Sequence, residues 1–356
     1  MTLFEIINAV SPADREAMEE ARRRWDAIAK PLNGLGLLED AIVKIAGITG
    51  SADVSLGKRA VLMMCADNGV VEEGVTQTGQ EVTAIVAENA AKGDSSVCRM
   101  AHVAHADVFP VDVGVKRPLS ANVPDRCVRR GTANIAKGPA MTEAEALAAI
   151  NVGIDLVREK KEEGYRLFAM GEMGIGNTTT SSAMAAVLLQ ASVEEVTGRG
   201  AGLSDAGLLR KRSAIERAIS CTHPDPTDPF AVLRCLGGLD IAALAGVCFG
   251  GAIYKVPILL DGFISAVAAL TAVRMAPAVA EHLIATHVSK EPAGMRMLQA
   301  LSLEPMIHAH MCLGEGTGAV AAMPLLDMAL AVYGEMRTFD DIKVKAYSHK
   351  PEDTVC

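Results

Sequence analysis

Two glycine-rich turns, each with one glutamate and each leading into a helix, constrain the fold of this 356-residue chain most strongly. Gly171-Glu172-Met173-Gly174 follows a strand-like run at 167–170 and precedes a helical run at 181–189. Gly314-Glu315-Gly316 leads into a second helical run at 320–333, and we interpret both as strand, turn and helix units. Unpaired N–H groups at a helix start favour an anion, and glycines let it approach the backbone. The two units predict one anion-binding cleft with two glutamates.

Other apolar runs are typical of strands buried in a parallel sheet. Residues 60–66 end in Asp67-Asn68-Gly69, and residues 256–262 end in Asp261-Gly262. We predict further strands at 107–113 and at 284–287, the second of which ends in His287. Functional groups of open α/β sheets gather at the carboxyl ends of strands, so Asp67, Asp261 and His287 are cleft candidates. For Asp67, an ordinary turn between strand and helix explains the pattern equally well.

Helical periodicity fills the chain between these strands. The expected helices are 15–30, 37–48, 82–101, 142–161, 208–219, 229–235, 241–254, 264–273 and 295–301. The first two precede any strand, so residues 1–50 are expected to form a helical cap. The chain is long enough for a large α/β domain with a smaller one.

Composition narrows the classes of function and location. Half of the residues are hydrophobic but only 3% are aromatic, which suits helices stacked on a parallel sheet. The net charge of −9 has no basic counter-block, which argues against nucleic acid or an anionic membrane as partner. The eight cysteines are scattered, and this is typical of reduced thiols in a cytoplasmic protein. No signal peptide is recognised at the N-terminus, and the longest apolar run, 241–254, is too short to span a bilayer.

Cofactor and metal motifs are weak or missing. Neither glycine turn matches the Gly-x-Gly-x-x-Gly dinucleotide fingerprint, and the sequence contains no P-loop. His308, His310 and Cys312 would share one face of a strand as metal ligands, but residues 302–311 have a helical pattern that would scatter them. No cofactor and no metal are therefore expected. The basic run at 210–212 is either a solvated helix face or the source of a cation that meets a phosphate.

Taken together, six ordered motifs resemble the nicotinate-nucleotide:dimethylbenzimidazole phosphoribosyltransferase family over about residues 10 to 340. The motifs are Lys30-Pro31 with Asn33-Gly34-Leu35-Gly36, Asp67-Asn68-Gly69-Val70, Gly171-Glu172-Met173-Gly174 with Asn177-Thr178-Thr179, Asp261-Gly262-Phe263, Ser302-Leu303-Glu304-Pro305, and Leu313-Gly314-Glu315-Gly316-Thr317-Gly318. The resemblance implies a pentosyltransferase of cobalamin nucleotide-loop assembly. Such an enzyme moves ribose 5-phosphate from nicotinate mononucleotide to 5,6-dimethylbenzimidazole. The products are α-ribazole 5′-phosphate, inverted at the anomeric carbon, and nicotinate.

The resemblance also implies an architecture and an assembly. The expected fold is a Rossmann-like parallel sheet flanked by helices, at 51–334. A small helical domain comes from both termini, at 1–50 and part of 335–356. The expected assembly is a homodimer in which the N-terminal region of one subunit helps line the site of the other. The substrates are small molecules, without nucleic acid or membrane as partner.

By position in these motifs, several residues take roles from the family. Glu315 matches the general base, Glu172 the second carboxylate, and Lys211 a phosphate-contacting lysine. The implied nucleotide and phosphate site consists of Gly174, Gly176, Asn177, Thr178, Lys211, Gly314, Gly316 and Gly318. The implied acceptor-base pocket consists of Thr76, Thr78, Gln80, Met173 and Leu313.

One segment departs from the family pattern. Where many relatives have Ser-x-aromatic-Pro, this chain has Thr76-Gln77-Thr78-Gly79-Gln80. A ring-stacking contact is therefore missing from the acceptor pocket, which leaves a purine, a simpler benzimidazole or a phenolic acceptor open. A non-catalytic base-binding subunit of a hetero-oligomer is a further alternative, although both glutamates and Lys211 are present. A nicotinamide-dependent oxidoreductase lacks its fingerprint.

Overall fold

The computed structural model describes residues 1–350 of an α/β protein built around a parallel sheet. Residues 351–356, with Cys356 and the end of the C-terminal segment expected in the small domain, lie outside the described residues. The five strands have the order β2-β1-β3-β4-β5, and every pairing is parallel. They are β1 (Lys58–Ala66), β2 (Ala106–Gly114), β3 (Tyr165–Met173), β4 (Ile258–Leu260) and β5 (Leu283–Ala285). The expected fold class is confirmed.

Helices cover both faces of this sheet. They are α1 (Leu3–Ala9), α2 (Arg15–Ala27), α3 (Leu37–Thr49), α4 (Glu81–Ala91), α5 (Ser96–Val103), α6 (Glu143–Glu162), α7 (Asn177–Leu188), α8 (Val193–Val196), α9 (Asp205–Thr222), α10 (Pro229–Leu236), α11 (Leu239–Tyr254), α12 (Phe263–Met275), α13 (Gly294–Ala300) and α14 (Thr317–Glu335). Short 3₁₀ turns occupy Gly69–Glu73 and Pro277–His282.

The continuous apolar pattern of β1 reflects burial on both sides. Leu62 and Met64 join the core formed with α6, α7, α11 and α12, whereas Val61 and Met63 face the core formed with α3, α4, α5 and α14. All four side chains are fully buried. Side chains alternate across a strand, so a strand with helices on both faces needs apolar residues at every position.

The two ends of the chain contact each other beside the second of these cores. The Trp25 ring lies 4.9 Å from that of Tyr333, and Ile28 pairs with Thr338 in an isolated bridge. Lys30 contacts Glu39 at 2.6 Å and fastens the turn before α3. The N-terminal helices thus pack against the end of α14 and the segment after it.

Three local expectations are wrong. The helix expected at 82–101 is split into α4 and α5, because Gly93 has a φ of 80° and Ser95 caps a new helix through the N–H of Cys98. The segment 302–311 is irregular rather than helical and runs beside the end of β5, where Ile307 pairs with His287. As a result, no strand leads into the turn of Glu315. Helix α1 was not predicted individually, but it lies within the expected helical cap at 1–50.

By length and composition, α14 is the one helix within residues 1–350 that would be able to cross a membrane. Half of this segment is buried in the protein, and the helix packs against α3 and α5. A core helix of a folded domain has the same length and composition.

Candidate active site

A cleft of about 360 Å³ opens at the carboxyl ends of the strands. Its walls come from the ends of β3 and β4, the segment after β5, the loop 75–78, the start of α7 and the turn before α14. The chain passes from β1 to β2 on one side and continues with β3 on the other, so the sheet order reverses between β1 and β3. Ligands of open α/β sheets bind where the order reverses.

The cleft brings together most of the side chains expected from sequence. Those that line it are Glu172, Glu315, Gly174, Gly176, Asn177, Thr178, Gly314, Thr76, Thr78, Met173, Leu313, Asp261 and His287. Five expected residues do not line it: Asp67, Gln80, Lys211, Gly316 and Gly318. Lys211 contacts Thr178 of the cleft, Gly316 follows Glu315, and a Cβ at Gly318 would overlap His287.

Glu315 lies where two helices begin. Its backbone has a φ of 61°, and its turn leads directly into α14. Its Oε2 accepts the N–H of Val97, 3.1 Å away, in the first turn of α5. The first N–H groups of a helix have no partner within the helix, so they can donate to such a carboxylate. The break after α4 therefore creates a partner for Glu315 that an uninterrupted helix would not have.

Glu172 has a different environment at the end of β3. It is buried, and its Oε2 accepts a hydrogen bond from Nδ2 of Asn177. A Cβ at Gly314 would overlap its Oε1, so only glycine lets the second turn lie against it. Burial raises the pKa of Glu172 to about 8, and the neighbouring Asp240 and Asp261 carboxylates add to the rise. Hydrogen bonds from Asn177 and from the backbone of Glu315 oppose it.

A second acid, Asp240, lies beneath the cleft in the first turn of α11 and is fully buried. Its Oδ2 accepts a hydrogen bond of 3.1 Å from the same Asn177 Nδ2, and its Oδ1 accepts the N–H of Ile241 at 3.0 Å. Burial raises the pKa of Asp240 to about 6, and these donors limit the rise. Sequence analysis missed Asp240, although Gly238-Leu239-Asp240 carries a helix-start pattern.

Asp261 anchors the turn that presents Glu315. Its carboxylate accepts the N–H groups of Gly316 at 3.3 Å, Gly318 at 2.7 Å and Ala319 at 3.2 Å. His287 Nδ1 lies 3.9 Å from its Oδ1, and a Cβ at Gly318 would overlap the His287 ring. Burial raises the pKa of Asp261, whereas His287 and the three N–H groups oppose the rise. The Asp261 carboxylate thus fixes the backbone of Gly316 and Gly318 at the wall of the cleft.

Lys211 is fully buried behind the wall of the cleft. Its Nζ donates to Oγ1 of Thr178 at 2.9 Å and to the carbonyl of Gly198 at 3.1 Å. Burial lowers the pKa of Lys211 to about 8. Because the lysine donates to this oxygen, the Thr178 hydroxyl keeps its own proton for an acceptor in the cleft.

Gln80 and Asp67 brace the loop after β1. Nε2 of Gln80 donates to the carbonyl of Asn68 at 3.0 Å, and its Oε1 accepts a hydrogen bond from Lys116 Nζ at 3.2 Å. Oδ2 of Asp67 accepts the backbone N–H of Lys116 at 2.7 Å. The two side chains therefore support the loop that carries Thr76 and Thr78.

The remaining lining divides into apolar and polar parts. Val82, Val86 and Phe263 extend the apolar surface of Met173 and Leu313. Arg199, Ser289 and Glu291 add polar groups that sequence analysis missed. In the sequence, Arg199 lies between Gly198 and Gly200, and this glycine-rich loop would have indicated a place in the cleft. No motif indicated Ser289 or Glu291.

The described residues include one group with metal-ligand spacing, formed by Asp112, Asp125 and Cys127. Arg130 pairs with both carboxylates, at 2.5 Å and 3.4 Å, and so occupies the position between them. His308, His310 and Cys312 are exposed on the irregular segment. Neither group argues for a bound metal.

Comparison with known proteins gives consistent relatives. The model of a family described as Phosphoribosyltransferase matches residues 10–344. A nicotinate-nucleotide–dimethylbenzimidazole phosphoribosyltransferase of Acetivibrio thermocellus is 46% identical over 346 residues, covering 97% of this chain and 99% of that protein. One of the same name from Ruminiclostridium cellulolyticum is 44% identical, covering 98% and 99%. A crystal structure of this enzyme from Thermus thermophilus has a TM-score of 0.87 and 41% identity, covering 94% of this chain and 100% of that chain.

Proposed function

The chain belongs to this phosphoribosyltransferase family, and from that premise we propose that it transfers ribose 5-phosphate from nicotinate mononucleotide to a lower-ligand base such as 5,6-dimethylbenzimidazole. The observation that carries the proposal is the cleft itself, where Glu172 and Glu315 lie beside an apolar wall and a helix start. Small-molecule substrates follow from the family. The products are nicotinate and α-ribazole 5′-phosphate, for the nucleotide loop of cobalamin.

The phosphate of the donor binds at the start of α7. Gly176 precedes this 12-residue helix with a φ of 98°, and the positive end of the helix dipole together with the Thr178 hydroxyl forms a polar corner of the cleft. Arg199 lies in the same wall and brings a cation. Lys211 orients Thr178 from behind and adds positive charge at short range.

Glu315 is the general base of the transfer. The bond between the anomeric carbon and the pyridinium nitrogen breaks, and its electron pair leaves with nicotinate, so the leaving group needs no acid. A new bond forms between the anomeric carbon and the unprotonated ring nitrogen of the azole, and the proton on the other ring nitrogen passes to the Glu315 carboxylate. General-base catalysis of this kind contributes about 10²–10⁴ in rate. Attack opposite the departing β-linked ring gives the α product.

The acceptor base binds against the apolar wall. Met173, Leu313 and Val86 supply a flat apolar surface, and Thr76 and Thr78 supply polar groups at its edge. The hydroxyl of Thr76 donates to the carbonyl of Thr78 at 2.8 Å, and neither side chain offers a ring for stacking. The open edge supports use of purines, simpler benzimidazoles or phenolics besides dimethylbenzimidazole.

The working form is a cytoplasmic homodimer, with the N-terminal region of one subunit beside the cleft of the other. Exposed apolar side chains near the cleft support this assembly, because Leu313 is 56% exposed and Ile85 is 47% exposed. Sedimentation analysis of the purified protein tests it. A monomer at working concentrations would contradict it.

Chromatography of purified protein incubated with nicotinate mononucleotide and a panel of bases tests the reaction. We expect an α-ribotide and nicotinate in equal amounts, and we expect Glu315→Gln to lose most of the rate. If no base gives product with correctly folded protein, the chain is a binding subunit and needs a partner. A clear optimum for dimethylbenzimidazole alone would refute the broader acceptor range.

A further inference from the structure

One amide bridges the two buried acids of the cleft floor. Asn177 Nδ2 donates to Oε2 of Glu172 and, at 3.1 Å, to Oδ2 of Asp240. Each carboxylate takes one of the two amide protons, so the amide has a single sensible orientation. Turned over, its carbonyl oxygen would face two carboxylates.

Asp240 is built into this position from several sides. It is fully buried in the first turn of α11, where the helix dipole and the Ile241 N–H at 3.0 Å favour its anion. A Cβ at Gly174 or at Gly238 would overlap its carboxylate oxygens, so both glycines leave room for it. Asp240 does not line the cleft.

From this geometry we propose that Asp240 is a positioning residue for Glu172, which it controls through the shared amide of Asn177. This inference rests on the proposed function. Asp240 fixes the amide with its NH₂ group toward Glu172, and its own negative charge keeps the Glu172 proton in place near neutral pH. Glu172 then meets the anionic donor as a neutral acid, without repelling the donor's phosphate and carboxylate.

Other ionisable groups face the pair. Asp261, at the end of β4, adds negative charge near Glu172, and the turn of Glu315 lies against it from the α14 side. Burial raises the pKa of the Cys65 thiol in β1, and the charges of both acids add to the rise, so the thiol stays neutral. Asn68 lies on the remaining side of Asp240. Of these groups, Asp240 alone shares a donor with Glu172.

Two variants separate the effect of the Asp240 charge on Glu172 from the effect of the Asn177 hydrogen bond. Asp240→Asn removes the negative charge but keeps an oxygen for the Asn177 amide, so the ionisation midpoint of Glu172 should fall by about one pH unit. Asn177→Ser removes the donor that stabilises the ionised form, so the midpoint should rise. If Asp240 and Asn177 served only to maintain packing, either substitution would admit water to the site. The Glu172 midpoint would then move in the same direction in both variants.

The readout is infrared difference spectroscopy as a function of pH, with the protonated-carboxyl band of Glu172 assigned by its loss in Glu172→Gln. Asp112→Asn is the matched control, because it removes another buried carboxylate that has no bond to Asn177. We expect it to leave the Glu172 midpoint unchanged. This measurement needs no turnover, so it separates failure of this inference from failure of the proposed function.

Kinetics give a second readout. In Asp240→Asn, kcat/KM should fall about tenfold at pH 9, and it should change by less than about twofold at pH 6. An unmoved Glu172 midpoint in folded Asp240→Asn overturns the proposal. If that variant does not fold, Asn177→Ser decides: a rise of its Glu172 midpoint supports the shared amide, and a midpoint that does not rise overturns the proposal.

Discussion

The turns at Glu172 and Glu315 have similar sequences but opposite environments. Glu172 ends a strand and faces Asp240 and Asp261, so its pKa rises to about 8. Glu315 stands between two helix starts and accepts the N–H of Val97. Glycine beside a glutamate therefore does not determine the protonation state of the acid. The elements around each turn do so, and at Glu172 they favour the neutral acid.

The largest effect should come from Glu315→Gln. The amide keeps the size of the side chain but cannot take the azole proton, so kcat should fall about 10²–10⁴-fold with little change in KM for nicotinate mononucleotide. Initial rates measured by product chromatography check this. A loss confined to KM would mean that Glu315 binds the donor and is not the base.

The support of the Glu315 turn is tested by Gly318→Ala, with Gly334→Ala on the same helix as its control. A Cβ at Gly318 would overlap the His287 ring, whereas a Cβ at Gly334 meets nothing within 4 Å. The first change should cost about 1–3 kcal/mol of unfolding free energy and reduce activity. The second should stabilise the protein by up to about 1 kcal/mol. Urea unfolding measures both, and equal effects would contradict the role given to Gly318.

Glu172→Gln should change kcat/KM less than the preceding substitutions do. At high pH it should raise kcat/KM relative to the wild type instead of lowering it. Glutamine imitates the neutral acid, so kcat/KM at pH 7 should stay within about threefold of the wild type. The wild type should lose about tenfold at pH 9 as Glu172 ionises, and the variant should not.

The same variant should change the pH dependence of stability. The pKa of Glu172 is higher in the folded protein than its ordinary value of 4.5, so the folded state holds the proton more tightly. That stabilisation is complete below the ordinary value and is lost as pH rises through about 8. Unfolding free energy should therefore fall over this range in the wild type, and less steeply in Glu172→Gln. Equal slopes in urea unfolding would contradict the neutral acid.

Ser95→Ala should have the smallest effect. Ser95 caps α5 and holds the first turn that gives its Val97 N–H to Glu315. Loss of the cap should cost about 0.5–2 kcal/mol, with a loss of kcat of no more than about twofold. Thermal unfolding and initial rates measure the two effects. A stable variant with a much larger loss of kcat would give Ser95 a direct part in the chemistry.

Sequence predicted the sheet, and it predicted most of the cleft lining, because each signal was local. The apolar run of β1 and the glycines beside Glu172 carry their meaning within a few residues. Asp240 was missed because its role depends on Asn177, 63 positions away, and on burial between helices. Lys211 was expected at the phosphate, but its depth behind Thr178 depends on the packing of α9. Gly93 and Ser95 mark the start of α5 in the sequence. The helical periodicity of residues 82–101 continues across them, so a single helix was predicted.

The most direct test compares the wild type, Glu172→Gln and Glu315→Gln at pH 7 and pH 9, with initial rates of ribotide formation as the readout. We expect Glu315→Gln to be nearly inactive at both values. Glu172→Gln should remain active at both, and the wild type should be slowed only at pH 9. If Glu172→Gln is as inactive as Glu315→Gln at both values, or if Glu315→Gln keeps its rate, the division into a neutral acid at Glu172 and a general base at Glu315 is wrong.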